Sequence, residues 1–221
     1  MEILYEDNHI IAVNKRAGQI VQGDKTGDMP LSEIVKSYIK KKYNKPGEVF
    51  LGVPHRLDRP VSGVILFAKT SKALTRLNEM FKKKETKKIY RAITANPPPK
   101  EYDKLTNHIQ RNTKQNKSYI REKENADTKL AILEYKLISS SEKYFLLEIN
   151  LHTGRHHQIR CQLSHIGCPI RGDLKYGFPR SNSNGGINLH AIEISLIHPV
   201  KKEPLTIKAP LPNDSIWNIF N

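Results

Sequence analysis

The sequence predicts a protein of the α/β (α+β) class, and three observations support this prediction. Short runs rich in β-branched and aromatic residues, such as residues 64–69, predict strands. Other segments place apolar residues at helical spacing and predict amphipathic helices. The 221 residues, of which 38% are hydrophobic, are enough for one sizeable core or two small lobes. Because we find no internal repeat and no convincing domain boundary, we expect one domain over residues 1–221.

The N-terminal half carries signals for alternating strands and helices. Two apolar runs flank the turn-forming pair Asp7-Asn8, which is typical of a hairpin. Three lysines, residues 40–42, close the first helix, where cations suit the helix dipole. Thr70 or Ser71 can cap the second helix. In chain order we predict a hairpin over residues 3–18, a helix over 31–43, a strand over 64–69, a helix over 69–84 and a strand over 88–95.

The C-terminal half begins with a segment that the sequence leaves open. Residues 100–129 are polar and basic with weak strand character, so they could be a linker or a solvated hairpin that touches an acidic partner. Further along, Thr153 is a candidate helix cap, and Gly167 ends that helix. The remaining predicted elements are strands over residues 130–138, 144–151, 187–196 and 203–209.

The charge balance indicates the kind of partner. Lys and Arg number 37 against 22 Asp and Glu, a net charge of +15, which suits a polyanion such as nucleic acid or an anionic membrane surface. Of these, RNA or DNA is favoured. The chain has no apolar run long enough for a membrane span and no signal-peptide pattern, so we expect a cytoplasmic protein. Cys161 and Cys168 lack metal-ligand spacing and are predicted to be free thiols.

Four stretches combine polar residues with tight turns: HRLDRPVSG (55–63), KIYRA (88–92), TGRHHQIR (153–160) and GDLKYG (172–177). Together and in this order they resemble the RluA-type family of RNA pseudouridine synthases. LHAIEISLIHP (189–199) is similar to a further segment of that family, so the resemblance runs over nearly the whole chain.

The resemblance implies a fold, a reaction and a partner. The fold is a mixed, mainly antiparallel sheet with flanking helices and a central active-site cleft. The reaction detaches the uracil of a uridine at N1 and rejoins it to the ribose through C5, without metal or organic cofactor. The partner is structured RNA, either tRNA or rRNA. We expect a monomeric catalytic domain that lacks the N-terminal RNA-binding domain of many relatives.

The resemblance also assigns roles to particular side chains. Asp58 is the catalytic carboxylate, which could attack a carbon of the sugar or base or remove a ribose proton. Arg160 pairs with it, which keeps it ionised and oriented. Tyr90 lies against the uracil and assists proton removal at C5. Arg56 fills the space that the flipped nucleotide leaves in the RNA.

Further basic side chains near these motifs are predicted to contact RNA. The full set is Arg56, His55, Arg59, Arg155, His157, Lys87 and Lys88. Two of these have an alternative, because His55 could instead shape its loop and His157 could brace its own. The histidines of residues 152–165 also suggest a metal site, but no acidic or thiol ligand accompanies them.

Two other functions remain as alternatives. A non-catalytic RNA-binding or ribosome-associated module would need the cations but no buried carboxylate. A nuclease or RNA glycosidase would shorten the RNA or release free uracil, and no second acidic residue recurs beside the motifs to support such chemistry.

Overall fold

The computed structural model describes residues 1–24 and 26–220, and its strands form one ten-stranded sheet. The strands are β1 (Glu2–Glu6), β2 (Ile10–Lys15), β3 (Ser62–Ala68), β4 (Lys87–Thr94), β5 (Tyr102–Asn112), β6 (Lys117–Arg121), β7 (Thr128–Ser140), β8 (Phe145–Leu151), β9 (Leu189–Ile197) and β10 (Pro204–Lys208). The helices are α1 (Leu31–Lys42), α2 (Ser71–Lys83) and α3 (Gln158–His165), with short 3₁₀ helices at Leu174–Tyr176 and Trp217–Phe220.

The sheet is mixed and mainly antiparallel, as predicted. The strand order is β1-β2-β3-β9-β4-β8-β7-β5-β6, and β10 pairs with residues 193–197 of β9. Neighbouring strands pair antiparallel, with the exception of β3 and β9, which run parallel. The α+β class and the mixed sheet are therefore confirmed, and the centre of the sheet is the place where β3, β9 and β4 lie side by side.

The basic segment that the sequence left open is part of this sheet. β5 and β6 form a hairpin, and β5 also pairs with β7 from Tyr102 opposite Lys136 to Gln110 opposite Thr128. The hairpin is confirmed and the linker interpretation is wrong, whereas contact of the hairpin with an acidic partner stays a prediction. The strand signal was weak because the hairpin lies at the sheet edge and buries few apolar side chains, among them Leu105 and Ile109.

The predicted helix caps have different outcomes. Thr70 caps α2, since its hydroxyl accepts a hydrogen bond from the Ala73 amide at 3.2 Å. Thr153 does not cap α3, so that prediction is wrong. Its hydroxyl is buried, accepts from the Ile132 amide at 2.8 Å and donates to Gln158 Oε1 at 2.7 Å, which ties the loop to β7. The helix begins only at Gln158, and Gly167, at φ +82°, follows its last turn as predicted.

The main core lies between the sheet and helices α1 and α2. Its fully buried side chains include Val35 of α1, Leu77 of α2 and Phe67 of β3. Cys161 and Cys168 are free, as predicted, and both are buried. No helix within residues 1–24 and 26–220 has the length and apolar character needed to cross a membrane.

The parallel junction of β3 with β9 is short and tightly packed. It consists of two residue pairs, Ser62 with His190 and Gly63 with Ala191. Ser62 Oγ lies 2.9 Å from His190 Nδ1. Gly63 has φ +115°, and a Cβ there would lie 2.2 Å from the Ala191 carbonyl oxygen. Only glycine permits both the backbone conformation and this close approach.

Replacing Gly63 with alanine should therefore destabilise the protein. The expected loss exceeds the roughly 1–2 kcal/mol of a left-handed backbone alone, because the β9 backbone must also move. The measurement is the midpoint of urea unfolding. Gly167→Ala is the matched control, since Gly167 has φ +82° and nothing within 4 Å of its would-be Cβ. Equal losses in the two variants would contradict the proposed steric cause.

Candidate active site

Asp58 lies in the turn that leads into β3. The flanking residues Leu57 and Val61 are buried, and the Val61 amide donates to the Asp58 carbonyl at 3.0 Å, so the turn is closed and anchored in the core. The Asp58 side chain nevertheless remains 31% exposed. The carboxylate therefore has a fixed backbone and an accessible reactive end.

The guanidinium of Arg160 lies between two carboxylates. Its Nη1 donates to Asp58 Oδ2 at 3.2 Å. Its Nε and Nη2 donate to the two oxygens of Asp173 at 2.7 and 2.8 Å. Arg160 and Asp173 are 5% and 1% exposed, so this part of the site is dry. The bidentate contact with Asp173 orients the guanidinium, and the remaining nitrogen reaches Asp58.

His157 and Tyr176 complete the wall behind Asp58. The Tyr176 hydroxyl accepts from the Ser118 amide at 2.8 Å and lies 3.0 Å from His157 Nδ1. The Tyr176 hydroxyl thus lies within hydrogen-bond distance of one ring nitrogen of His157, while the other, Nε2, lies 3.6 Å from Asp58 Oδ2. Burial, followed by the charge of Arg160, lowers the pKa of His157 to about 2, so the ring is neutral.

A cavity of about 100 Å³ opens beside the Asp58 carboxylate. Its polar groups include Asp58, Tyr90 and Arg160, which come from three separate sequence motifs. Leu151 and Leu189 contribute apolar surface, which is typical of a ligand-binding pocket. Tyr90 is buried, and this burial, together with the negative charge of Asp58, raises the pKa of its phenol well above the usual value. The phenol is therefore neutral in the free protein.

Opposing effects set the ionisation of Asp58. Desolvation is the largest and raises its pKa, whereas the positive charge and hydrogen bond of Arg160 lower it. The negative charge of Asp173 raises it again, and the charge of Lys15 lowers it. The net result is a carboxyl group whose pKa lies above its usual value.

Lys15 is a functional candidate that sequence reasoning missed. It is fully buried, and its ammonium donates to the carbonyl oxygens of Arg16, Gln19 and Arg59 at 3.0, 2.7 and 3.0 Å. Burial lowers its pKa to about 7, although attraction to Asp58 opposes this shift. Lys15 thereby links the end of β2 to the Asp58 turn. Its sequence context, one lysine among many, gave no signal of this role.

Asp173 and Tyr176 were signalled by the sequence without being assigned. Both belong to GDLKYG, one of the four stretches that suggested the family. The motif could be recognised, but its contact with Arg160 depends on how the turn after α3 packs against the helix.

The residues predicted to bind RNA differ in their placement. Arg56 and Arg155 line the cavity beside Asp58, and the Arg155 Nε donates to the Leu130 carbonyl at 2.9 Å. Lys87 is exposed at the start of β4, and Lys88 is half-buried beside it. Arg56 and Arg155 thus belong to the cavity lining, and Lys88 lies close to Gly154, another lining residue, whereas Lys87 lines a separate pocket beside His152.

The other three predicted RNA contacts have protein partners. His55 Nε2 accepts from the Leu66 amide at 3.0 Å, and its ring stacks on Phe81, an arrangement that favours the loop-shaping alternative. His157 is buried behind Asp58, which likewise favours a bracing role. Arg59 forms an exposed ion pair with Asp28 at 2.6 Å.

The histidines that suggested a metal site are engaged elsewhere. His152 Nε2 lies 3.2 Å from Glu134, and His156 contacts Ser118 and Asn116. Within the described part of the chain, no group of three or more His, Cys, Asp or Glu side chains could hold a metal ion.

Comparison with known proteins identifies the family. The family model for RNA pseudouridylate synthase matches residues 9–165. Ribosomal large subunit pseudouridine synthase C of Rickettsia bellii is 36% identical, covering 96% of this chain and 68% of that protein. tRNA pseudouridine synthase C of Vibrio cholerae is 33% identical, covering 98% and 93%. The solved structure of human RNA pseudouridylate synthase domain containing 4 shares the fold, with a TM-score of 0.80 and 24% identity over 96% of this chain and 89% of that one. The chain therefore belongs to the RNA pseudouridylate synthase family and is an isomerase.

Proposed function

We propose that this protein converts uridine to pseudouridine in tRNA or rRNA, with Asp58 as its catalytic carboxylate. The observation that carries the proposal is the meeting of Asp58, Tyr90 and Arg160 at one cavity, although the three residues belong to separate motifs. Relatives over nearly the whole chain are named for rRNA and for tRNA. We further propose that residues 1–221 act as one catalytic domain, monomeric and cytoplasmic.

The proposed chemistry breaks the N1–C1′ bond of the uridine and forms a C5–C1′ bond, while C5 loses a proton and N1 gains one. Asp58 assists either by attacking carbon or by removing a ribose proton, and Arg160 keeps it ionised while it does so. Tyr90 lies against the uracil, and its hydroxyl assists removal of the C5 proton. The apolar surface of Leu151 and Leu189 excludes water, which would otherwise compete with the base for the sugar.

Bound RNA must place its flipped-out target nucleotide in the cavity. Arg56 is exposed at the cavity mouth, and its planar guanidinium can stack and hydrogen-bond where the target base has left the RNA. Arg155 lines the cavity and Lys88 lies near it, and these two side chains, together with Lys87 further along β4, contact phosphates. The net charge of +15 strengthens this attraction over the whole molecule.

Asp58→Ala should abolish turnover and spare RNA binding. We expect release of tritium from RNA labelled at uracil C5 to fall at least roughly a thousandfold, since the variant has no carboxylate at the cavity. Bulk tRNA and bulk rRNA are offered separately, so the responding pool identifies the substrate class. Asp127→Ala, which removes an exposed carboxylate, is the control. Unchanged release by Asp58→Ala would remove Asp58 from the mechanism, and tight binding without release by the wild type would favour the non-catalytic RNA-binding module.

Tyr90→Phe should distinguish the role of the Tyr90 ring from the role of its hydroxyl. The ring still fills its place against the uracil, so RNA affinity should stay within about twofold of the wild type. Tritium release should fall roughly a hundredfold, because the group that assists proton removal at C5 is absent. Single-turnover release at saturating protein measures this step. Wild-type rates in the phenylalanine variant would limit Tyr90 to packing.

Asp173→Asn should move the acid limb of the pH–rate profile to lower pH. The negative charge of Asp173 contributes to the raised pKa of Asp58, so neutralising it lowers that pKa. Activity that requires ionised Asp58 then persists to lower pH than in the wild type. The profile of kcat/KM measures the limb, and Asp127→Asn is the control. A limb that stays in place or moves to higher pH would contradict this electrostatic account.

A further inference from the structure

A second cavity, of about 500 Å³, adjoins the Asp58 pocket. We call it the side trough. The two cavities share Arg56, Asp58 and Arg160 among their lining residues, so the trough opens directly onto the candidate site. One of its walls is the segment after β2, residues 20–24. The opposite wall includes Arg111 and Asn116 of the β5–β6 hairpin and Lys175 of the GDLKYG turn.

The trough is strongly basic, and two of its cations are unpaired. It is lined by Arg56, Arg59, Arg111 and Lys175. Among the described residues, Arg59 is paired with Asp28, whereas the side chains of Arg56 and Arg111 have no hydrogen-bond or ion-pair partner. Its acidic lining residues are Asp58, which pairs with Arg160, and the exposed Asp24. The unpaired positive charge is therefore available to an anionic ligand.

The hairpin wall is held in place before any ligand arrives. Ser118 Oγ donates to the His156 carbonyl at 2.7 Å, and His156 Nε2 lies 3.1 Å from Asn116 Oδ1. Lys175 Nζ donates to the Asn116 carbonyl at 3.1 Å. Burial, followed by the charge of Arg111, lowers the pKa of His156 to about 4, so the lasting charges of this wall are Arg111 and Lys175. Binding of RNA would thus require little ordering of the protein.

We propose that the side trough binds the sugar–phosphate backbone of one RNA flank, either 5′ or 3′ of the target uridine. In this arrangement Arg111 and Lys175 contact phosphates. This inference rests on the proposed function, because it places the target uridine in the Asp58 pocket. Cations without a carboxylate partner suit phosphate. No Phe, Tyr or Trp is among the described residues that line the trough, so it suits backbone contact better than base stacking.

The test variants are Arg111→Ala and Lys175→Ala, each alone and both combined in a double variant. Lys114→Ala is the matched control, because Lys114 is an exposed lysine of the same hairpin that does not line the trough. Replacing Arg111 breaks no side-chain hydrogen bond or ion pair within the described part of the protein. Arg111→Lys keeps the positive charge at the same position. Thermal unfolding of each variant confirms that the hairpin is intact.

The double variant should raise KM and Kd for a uridine-containing RNA substrate roughly tenfold, whereas kcat at saturating RNA should stay within about twofold. The slope of log Kd against log salt should fall by roughly 0.7 for each phosphate contact with single-stranded RNA that is lost. Lys114→Ala should change KM and this slope little, and Arg111→Lys should recover most of the affinity.

Shortened substrates test the location of the contact. RNA trimmed on the 5′ side or on the 3′ side of the target uridine should bind the wild type more weakly in both cases. For the double variant, one of the two truncations should lower the affinity little further. The contact between that flank and the trough is already lost in this variant. That truncation identifies the flank that lies in the trough.

Two failures can be told apart. If the wild type releases no tritium from any RNA, the proposed function is wrong. If the wild type is active but the double variant matches Lys114→Ala in KM and salt slope, the trough proposal is wrong and the function stands. Equal sensitivity of wild type and double variant to both truncations would likewise overturn the trough proposal.

Discussion

One guanidinium shared between two carboxylates determines the arrangement of the site. Asp173 takes two of the Arg160 nitrogens in a nearly solvent-free contact, and Asp58 takes the third from the side that opens to the cavity. Without Asp173, the buried Arg160 would keep only its single contact with Asp58, and removing one partner of a buried ion pair costs roughly 3–5 kcal/mol. Because the two carboxylates outnumber the one cation, the group keeps a net negative charge. Asp58 is thus held in a fixed orientation and keeps a negative charge. This charge stabilises the positive charge that develops on the ribose.

The sheet brings the remaining parts to this ion group. Asp58 precedes β3, Tyr90 lies on β4, and β9 runs between the two strands. The close approach of Gly63 to Ala191 sets how near β3 can lie to β9. Lys15 connects the neighbouring β2 to the same turn through three carbonyl groups. The loop that carries Asp58 is therefore restrained by β2, through Lys15, and by the pairing of β3 with β9.

The sequence predicted the fold class, most elements and the family, because hydrophobic periodicity and short motifs are local signals. Asp58, Tyr90 and Arg160, which the sequence predicted to be catalytic, line one cavity, and their chemical roles stay predictions. The missed features depend on contacts between distant segments. Lys15 looks like any other lysine until its burial is known, and Arg111 lies in a polar edge hairpin with little apolar pattern. Thr153 was wrongly taken for a cap because its bond to Ile132 requires knowledge of β7.

The position of β9 has a consequence for the order of assembly. β9 pairs with β3, β4 and β10, so it joins the N-terminal strands to the rest of the sheet. It is also residues 189–197 of a 221-residue chain, which is made from its N-terminus. Among the described residues, strand pairing joins β1–β3 to β4–β8 through β9 alone, so their union in one sheet requires closure of a long loop. A nascent chain that ends before β9 already contains Asp58, Tyr90 and Arg160, yet it lacks the strand that holds them together.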